Sequence, residues 1–264
     1  MMFDKFTPVD VTAITVCVEY ADLLELTLPY NRHQFERFLV VTHPEDEAVI
    51  ETAKLHGAEV LLTEVFYSRG AKFNKWAALQ QGLDFLNHDG WLCIIDCDIA
   101  IPQQVYKQLE PKENCLYTPR RLDCRIIRNG IPPEKHWRRY KPVNMKEGFE
   151  GYFQMFHTSY EGLQERPWFR NDWDWAGTGD TIFQRRWPDR QQVRPPWNVM
   201  HLGIPYANWT GRVQPYADGQ VPAQARQRRA NFDMLMRQRR LNHGLDDRYK
   251  GERLPGDNIT CNGQ

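Results

Sequence analysis

Net charge is the first thing this 264-residue sequence lacks: 34 Lys and Arg balance 34 Asp and Glu, which argues against a histone-like basic protein or an acidic tail protein. Long apolar runs are missing too. No stretch approaches the roughly 20 residues that cross a bilayer. Met1 to Asp10 carries acidic residues where a signal peptide would be basic and then apolar. The expectation is therefore a soluble protein of the cytoplasm with no membrane partner. Cysteine is sparse: Cys17, Cys93, Cys97, Cys115, Cys124 and Cys261 are scattered, and no pair repeats a zinc-site spacing. Buried free thiols are expected. There is no internal repeat and no low-complexity segment. What is present, 41% hydrophobic and 12% aromatic residues, can bury one large domain or a domain with a closely packed extension.

The neutral total hides a segregation. Residues 1–100 carry 7 basic and 16 acidic side chains, and the remaining 164 carry 27 basic and 18 acidic. Short apolar runs in the first half are separated by segments of helical period. Strands are expected at 13–18, 38–42, 58–62 and 91–95, and helices at 21–30, 72–86 and from Pro44 to about His56. Strand and helix alternating in this way imply a parallel, doubly wound sheet, whose ligands bind beyond the carboxyl ends of the strands. Residues 119–148, rich in Arg, Lys and Pro, read as a long exposed or mobile connection. A strand follows at 151–157, a short helix at 178–187 and a strand-like piece ending at Leu202. A basic helix spans 223–243, with Phe232, Leu235 and Met236 as its apolar side.

The strongest local signal is Ile94-Ile95-Asp96-Cys97-Asp98-Ile99-Ala100-Ile101-Pro102, an apolar strand ending in two carboxylates one residue apart. Both acids can approach one cation from the strand's end, and Mg²⁺ or Mn²⁺ prefers such oxygen ligands. The bland alternative is an Asp pair capping the following turn. The segment Arg69-Gly70-Ala71-Lys72-Phe73-Asn74-Lys75 offers a small-residue turn, an amide and a cation to a diphosphate at a helix start, or else is a solvated first turn. At the end of the first strand, Glu19 and Tyr20 are placed to meet a nucleobase, Tyr20 by stacking and Glu19 by accepting a hydrogen bond. In Trp168–Asp180, acids alternate with tryptophans before Gly177-Thr178-Gly179, and the reading as a substrate site competes with a helix cap beside core aromatics.

With these motifs the sequence resembles the GT-A nucleotide-sugar glycosyltransferases over most of residues 12–212. The resemblance also rests on the strand Gly151–Phe156 and on His201 in Val199-Met200-His201-Leu202-Gly203. It implies an α/β, Rossmann-like mixed sheet flanked by helices, with an acceptor-side extension at the C-terminus. It implies that Asp96 lies near the nucleotide ribose, and that Asp96, Asp98 and His201 serve the metal. Asn74 and Lys75, with Arg69 behind them, would contact the donor. Asp180 would be the general base of an inverting reaction, although the fuller Gly-Glu-Asp pattern of some members is absent. Asp172 or Asp174 would hold acceptor hydroxyls, while Trp173 and Trp175 offer flat faces to a sugar or a nucleobase. Arg212, always charged and able to bind bidentately, would meet the diphosphate or the acceptor.

The expected protein is a hexosyltransferase-like enzyme with Mn²⁺ or Mg²⁺ as cofactor. It would move a sugar from a nucleoside-diphosphate sugar, UDP-linked in the first place, to an acceptor hydroxyl. Residues 1–118 would form the donor half, 119–215 the acceptor and metal-completing half, and 216–264 a basic helical extension. Residues 184–253, with 14 basic against 6 acidic side chains, allow DNA carrying a hydroxymethylated base as acceptor, with the helix at 223–243 facing it. Two rivals stand beside this reading. A nucleotidyltransferase would carry a Gly-rich basic loop after the first strand, where this chain has Glu19-Tyr20-Ala21-Asp22. A non-catalytic nucleic-acid-binding protein would use the basic half alone.

Overall fold

The computed structural model describes residues 10–103, 105, 109–125, 130–142, 151–172, 175–177, 179–203, 208–216 and 218–242, without the side chains of 235, 236 and 238–242. Strands β1 (Val11–Val16), β2 (Arg37–Thr42), β3 (Glu59–Leu62) and β4 (Trp91–Ile95) alternate with helices α1 (Ala21–Asn31), α2 (Glu47–Leu55) and α3 (Lys75–Leu86). They pair in parallel, β1 between β2 and β4, and β3 outside β2. Further along come β5 (Ile99–Ala100), β6 (Leu116–Tyr117), β7 (Arg120–Cys124), β8 (Phe153–His157), α4 (Gly179–Gln184), β9 (Gln192–Val193), β10 (Asn198–Leu202) and α5 (Ala225–Asn242).

β8 runs antiparallel to β4, so the wholly parallel sheet suggested by alternation alone is corrected to a mixed one. No helical crossover is needed for an antiparallel neighbour, and the long excursion after β4 returns without one. The seven-stranded sheet has the order β3-β2-β1-β4-β8-β6-β9, and a three-stranded sheet β5-β10-β7 lies beside it. This is the mixed Rossmann-like α/β sheet flanked by helices that the resemblance implied. One sheet thus crosses from the first half of the chain into the second.

Alternating strand residues divide between two cores, as the period of an extended chain requires. On one face Ala13, Val40, Cys93, Ile95 and Met155 pack with Leu24 and Leu28 of α1 and Val49 and Ala53 of α2. On the other, Ile14, Leu39, Val41, Ile94 and Phe156 pack with Leu79 and Leu83 of α3 and Phe183 of α4. Gly82 lets α3 approach closely, since a Cβ there would stand 2.5 Å from Ile14 Cδ1. The described cysteines are buried and free, and Cys261 lies outside the described residues.

Helix starts differ from the sequence reading where a cap decides them. α2 begins after Asp46, whose Oδ1 accepts from the Val49 amide at 3.3 Å, and not at Pro44. α3 begins at Lys75 because Asn74 Oδ1 accepts from the Ala77 amide at 3.0 Å. The expected connection at 119–148 is also corrected. Its first residues form β7, in parallel register with β10, with Arg121, Leu122 and Cys124 buried.

α1 braces the turn that follows β4. Thr27 Oγ1 donates to the Cys97 carbonyl at 2.5 Å, and Asn31 Nδ2 to the Ile99 carbonyl at 2.7 Å. Asn31 Oδ1 accepts from the Ile101 amide at 3.0 Å. Asn31 is buried, so Asn31→Ala leaves a backbone donor and an acceptor unpaired. The expected loss is about 2–4 kcal/mol, measured by urea unfolding. A loss below about 0.5 kcal/mol, within the scatter of surface substitutions, would show that this brace is dispensable.

Candidate active site

The carboxyl end of β4 opens into a cavity of about 180 Å³ that also receives residues from the ends of β1, β7 and β10. The turn Asp96-Cys97-Asp98 is held by several of its backbone groups. Asp96 N donates to the Tyr152 carbonyl at 2.9 Å, Ile99 N to the Asp96 carbonyl at 3.1 Å, and Leu202 N to the Asp98 carbonyl at 2.8 Å. The last of these bonds ties β10 to the turn and sets His201 beside Asp98.

The carboxylates then divide among the cations. Asp96 pairs with Lys75 at the first position of α3. Burial alone would lower the Lys75 ammonium, but Asp96 beside it, with Asp180 and Asp98 behind, holds it above the usual lysine range. Asp98 Oδ2 lies 3.4 Å from His201 Nε2, and Asp123 Oδ1 lies 3.4 Å from Nδ1 on the other side of the ring. Burial would push the imidazole down, yet Asp98 and then Asp123 raise it to about 9. Burial would likewise raise Asp98, but His201, Lys75 and Arg121 hold it below the usual carboxylate range. Asp98 Oδ1 is buried without a hydrogen-bond partner. Arg121 Nε reaches Asp123 at 2.9 Å, and its guanidinium lies 5.2 Å from the centre of the Tyr152 ring.

Asp180, second residue of α4, lines the same cavity. Its Oδ2 accepts from the Gly151 amide and its Oδ1 from the Thr181 amide, each at 2.8 Å. A Cβ on residue 151 would come within 2.3 Å of Asp180 Cβ, so only glycine admits this contact. Tyr20 and Trp209 present aromatic surface to the cavity.

Other expected site residues are placed elsewhere. Asn74 is buried with both ends of its amide engaged, Oδ1 in the helix cap and Nδ2 donating to the Asn171 carbonyl at 2.9 Å. Arg69 is exposed on the turn before α3, in left-handed backbone at φ 56°, and does not line the cavity. Asp172 is exposed and paired with Arg170, 2.9 Å from its Nε. Trp175 is buried against Trp209, ring centres 5.4 Å apart. Trp173, Asp174 and Thr178 lie outside the described residues.

Arg212 is turned inward: it is fully buried, and its five N–H groups all have acceptors within the protein. Nε donates to the Gln214 carbonyl at 3.2 Å, Nη1 to the Glu19 carbonyl at 2.7 Å and to Asp22, and Nη2 to Asp22 Oδ2 at 2.8 Å and the Pro215 carbonyl at 3.0 Å. Tyr20 and Tyr216 stack on its two sides at 4.6 and 4.3 Å. Glu19 is drawn into the same knot. Its carboxylate pairs with Arg228 of α5, 2.9 Å from Nη2, and its amide donates to Asp46 Oδ2 at 2.5 Å. The residue adopts left-handed backbone at φ 64°, a conformation rare outside glycine and held here by those bonds.

Arg121 and Asp123 are the site residues that sequence reasoning missed. The available signal was the alternation Arg121-Leu122-Asp123-Cys124, apolar one way and charged the other.

No family model matches the sequence, and no curated protein matches it. Among solved structures, the chain is similar to mannosyl-3-phosphoglycerate synthase from Rubrobacter xylanophilus, at 20% identity over 46% of each chain and a TM-score of 0.35. It is similar to the inositol-1-phosphate CTP transferase from T. maritima at 10% identity over 76% of this chain and 92% of that one, TM-score 0.45. A third likeness is to glucosyl-3-phosphoglycerate synthase from Mycobacterium tuberculosis in complex with Mn²⁺, UDP and phosphoglyceric acid, at 14% identity over 43% of each chain, TM-score 0.31. The chain spans less than half the length of the first and third. Likenesses of this strength leave function to be argued from the site itself.

Arg212→Met would take their shared donor from the half-buried Asp22 carboxylate and from the carbonyls of Glu19, Gln214 and Pro215. The expected cost is about 3–5 kcal/mol in urea unfolding. Wild-type stability combined with weakened nucleotide binding would instead return Arg212 to the diphosphate.

Proposed function

We propose that the cavity transfers a glycosyl group from a nucleoside-diphosphate sugar, UDP-linked in the first instance, to an acceptor hydroxyl. The carrying observation is that Asp96 and Asp98 meet Lys75 and His201 at the carboxyl end of a central strand, with Asp180 lining the same cavity. That is where open α/β sheets bind their ligands.

Among the described residues no group of three or more His, Cys, Asp or Glu is arranged to hold a metal ion. A smaller protein contribution fits: Asp98, with one buried oxygen unpartnered, and His201 Nε2 facing its other oxygen. A carboxylate and an imidazole suit Mn²⁺ or Mg²⁺ when phosphate oxygens supply the remaining positions. Bound there, the ion would supply Lewis-acid neutralisation of the departing diphosphate. Asp123 fixes the His201 ring from its far nitrogen, as a carboxylate behind a metal-binding histidine does. Asp96, already paired, holds Lys75 as a fixed cation at the cavity wall. Asp180 is oriented by two amide donors and keeps lone pairs to accept the acceptor's hydroxyl proton. Tyr20 and Trp209 provide flat faces for a base or a sugar. The nucleotidyltransferase alternative needs an open phosphate loop after β1, whereas Glu19 in that loop is closed down by Arg212 and Arg228.

Asp98→Asn is expected to lower donor turnover about 10²–10³-fold with Mn²⁺ present. Full turnover by this variant, or activity indifferent to a chelator, defeats the proposal. Asp180→Asn should lose about 10²–10⁴-fold in transfer while its thermal shift with UDP stays at the wild-type value. Asp123→Asn should weaken Mn²⁺ binding about 10–100-fold, read by titration calorimetry in the presence of UDP.

A further inference from the structure

Residues 119–142 carry eight bases and two acids, Asp123 and Glu134. Both acids point inward. Asp123 lies against Arg121 and His201, and Glu134 Oε1 accepts from the Tyr30 hydroxyl at 2.5 Å and from the Gln103 amide at 2.8 Å. Arg121 is buried with Asp123, and Arg128 lies outside the described residues. Arg120, Arg125, Lys135, Arg138, Arg139 and Lys141 are all exposed. No acid of the segment remains on its surface to neutralise them.

These bases share one edge. Trp137 is buried and donates to the Pro132 carbonyl at 2.7 Å, which pins the helical turn Glu134–Arg139 to the core. The antiparallel bridge Leu122–Pro142, with Cys124 Sγ 4.0 Å from the Tyr140 hydroxyl, keeps residues 138–142 alongside β7. Arg125 and Arg139 therefore come to the same end of that strand. β7 also carries Arg121 into the cavity wall, so the edge borders the site. His136 in the same turn is held below the usual histidine range, by desolvation and then by Arg139, Lys135 and Arg138.

We propose that this edge binds a single nucleic-acid strand by its phosphates, and that the strand carries the acceptor hydroxyl. Only the second clause rests on the transferase reading. The bases are distributed over β7, the turn Glu134–Arg139 and the residues beside them, which suits repeated phosphates better than a single small anion. Among the described residues of 119–142 there is no exposed large hydrophobic side chain of the kind that membrane-surface binding uses. A single strand can deliver one nucleotide to a cavity that a stacked duplex cannot enter. In the transfer the strand's oxygen bonds to the anomeric carbon as the bond from that carbon to the diphosphate breaks. The hydroxyl proton passes to Asp180.

α5 is the natural control. Its Arg228 is buried on Glu19, while Arg226 and Arg237 are exposed. Fluorescence anisotropy with a labelled single-stranded DNA of about 20 nucleotides, longer than the ~4–16 that one single-strand module covers, is followed across a salt series. The triple variant Arg138→Gln/Arg139→Gln/Lys141→Gln should bind at least about tenfold more weakly. Its salt slope should fall by about 2, at roughly 0.7 per lost contact. Arg226→Gln/Arg237→Gln should bind like wild type, and wild-type hydrolysis of UDP-sugar without acceptor should persist in the triple variant. Arg125→Gln/Lys135→Gln provides a second, independent substitution on the edge. The proposal is overturned if wild type does not bind the strand, if both edge variants bind it as wild type does, or if the α5 variant loses as much. Equal binding of anionic phosphatidylserine vesicles also overturns it. Strand binding without any donor turnover would remove the transferase reading and the acceptor clause while leaving the surface assigned.

Discussion

Bringing Asp96, Asp98 and Asp180 into one small cavity, with Asp123 behind His201, is the constraint that organises this molecule. Carboxylates taken out of water must be paired or protonated, and the fold supplies Lys75, His201 and Arg121 from separate elements to pair them. Each cation in turn dictates geometry. Lys75 must sit on the first turn of α3, so Asn74 has to cap that helix. His201 must lie beside the turn after β4, so β10 has to pair with β5 and β7 and hydrogen-bond to Asp98. Even the glycine at 151 follows from Asp180 needing room against the backbone.

The same logic operates at the end of β1, with the opposite functional result. A guanidinium with every N–H accepted and an aromatic ring on each side is a structural fastener. It holds Glu19 in left-handed backbone and joins it to Asp22, Gln214 and Pro215. Residue types suited to gripping phosphate are equally suited to gripping carboxylate and carbonyl groups, and which task they perform is decided by what the fold brings within reach.

That distinction marks how far the sequence could be read. The alternation of the first hundred residues was legible because β1, β2 and β4 are buried on both faces and the helices between the strands keep a regular period. Asp96 and Asp98 were legible because they end such a strand. The burial of Arg212 was not, since its partner Asp22 is 190 residues away and nothing local announces the pairing. Asn74 was ambiguous in principle: the amide that could bind a ligand at a helix start is the amide that caps the helix. β7 escaped notice because a five-residue strand flanked by Pro119 and Arg125 shows only two turns of alternation amid many charges. Arg121 and Asp123, which hold His201 from behind, went with it.

The bond from Glu19 to Arg228 spans 209 positions of the chain. A loop at the mouth of the cavity therefore takes its final shape from a helix far along the chain. During synthesis the first strands and helices can pair while that loop is still without its fastener, and its final shape waits for α5 to dock. Contacts of such separation slow folding, because the loop they close must lose its freedom before any stabilisation returns. The finished shape of the loop and the docking of α5 are thereby the same event in time.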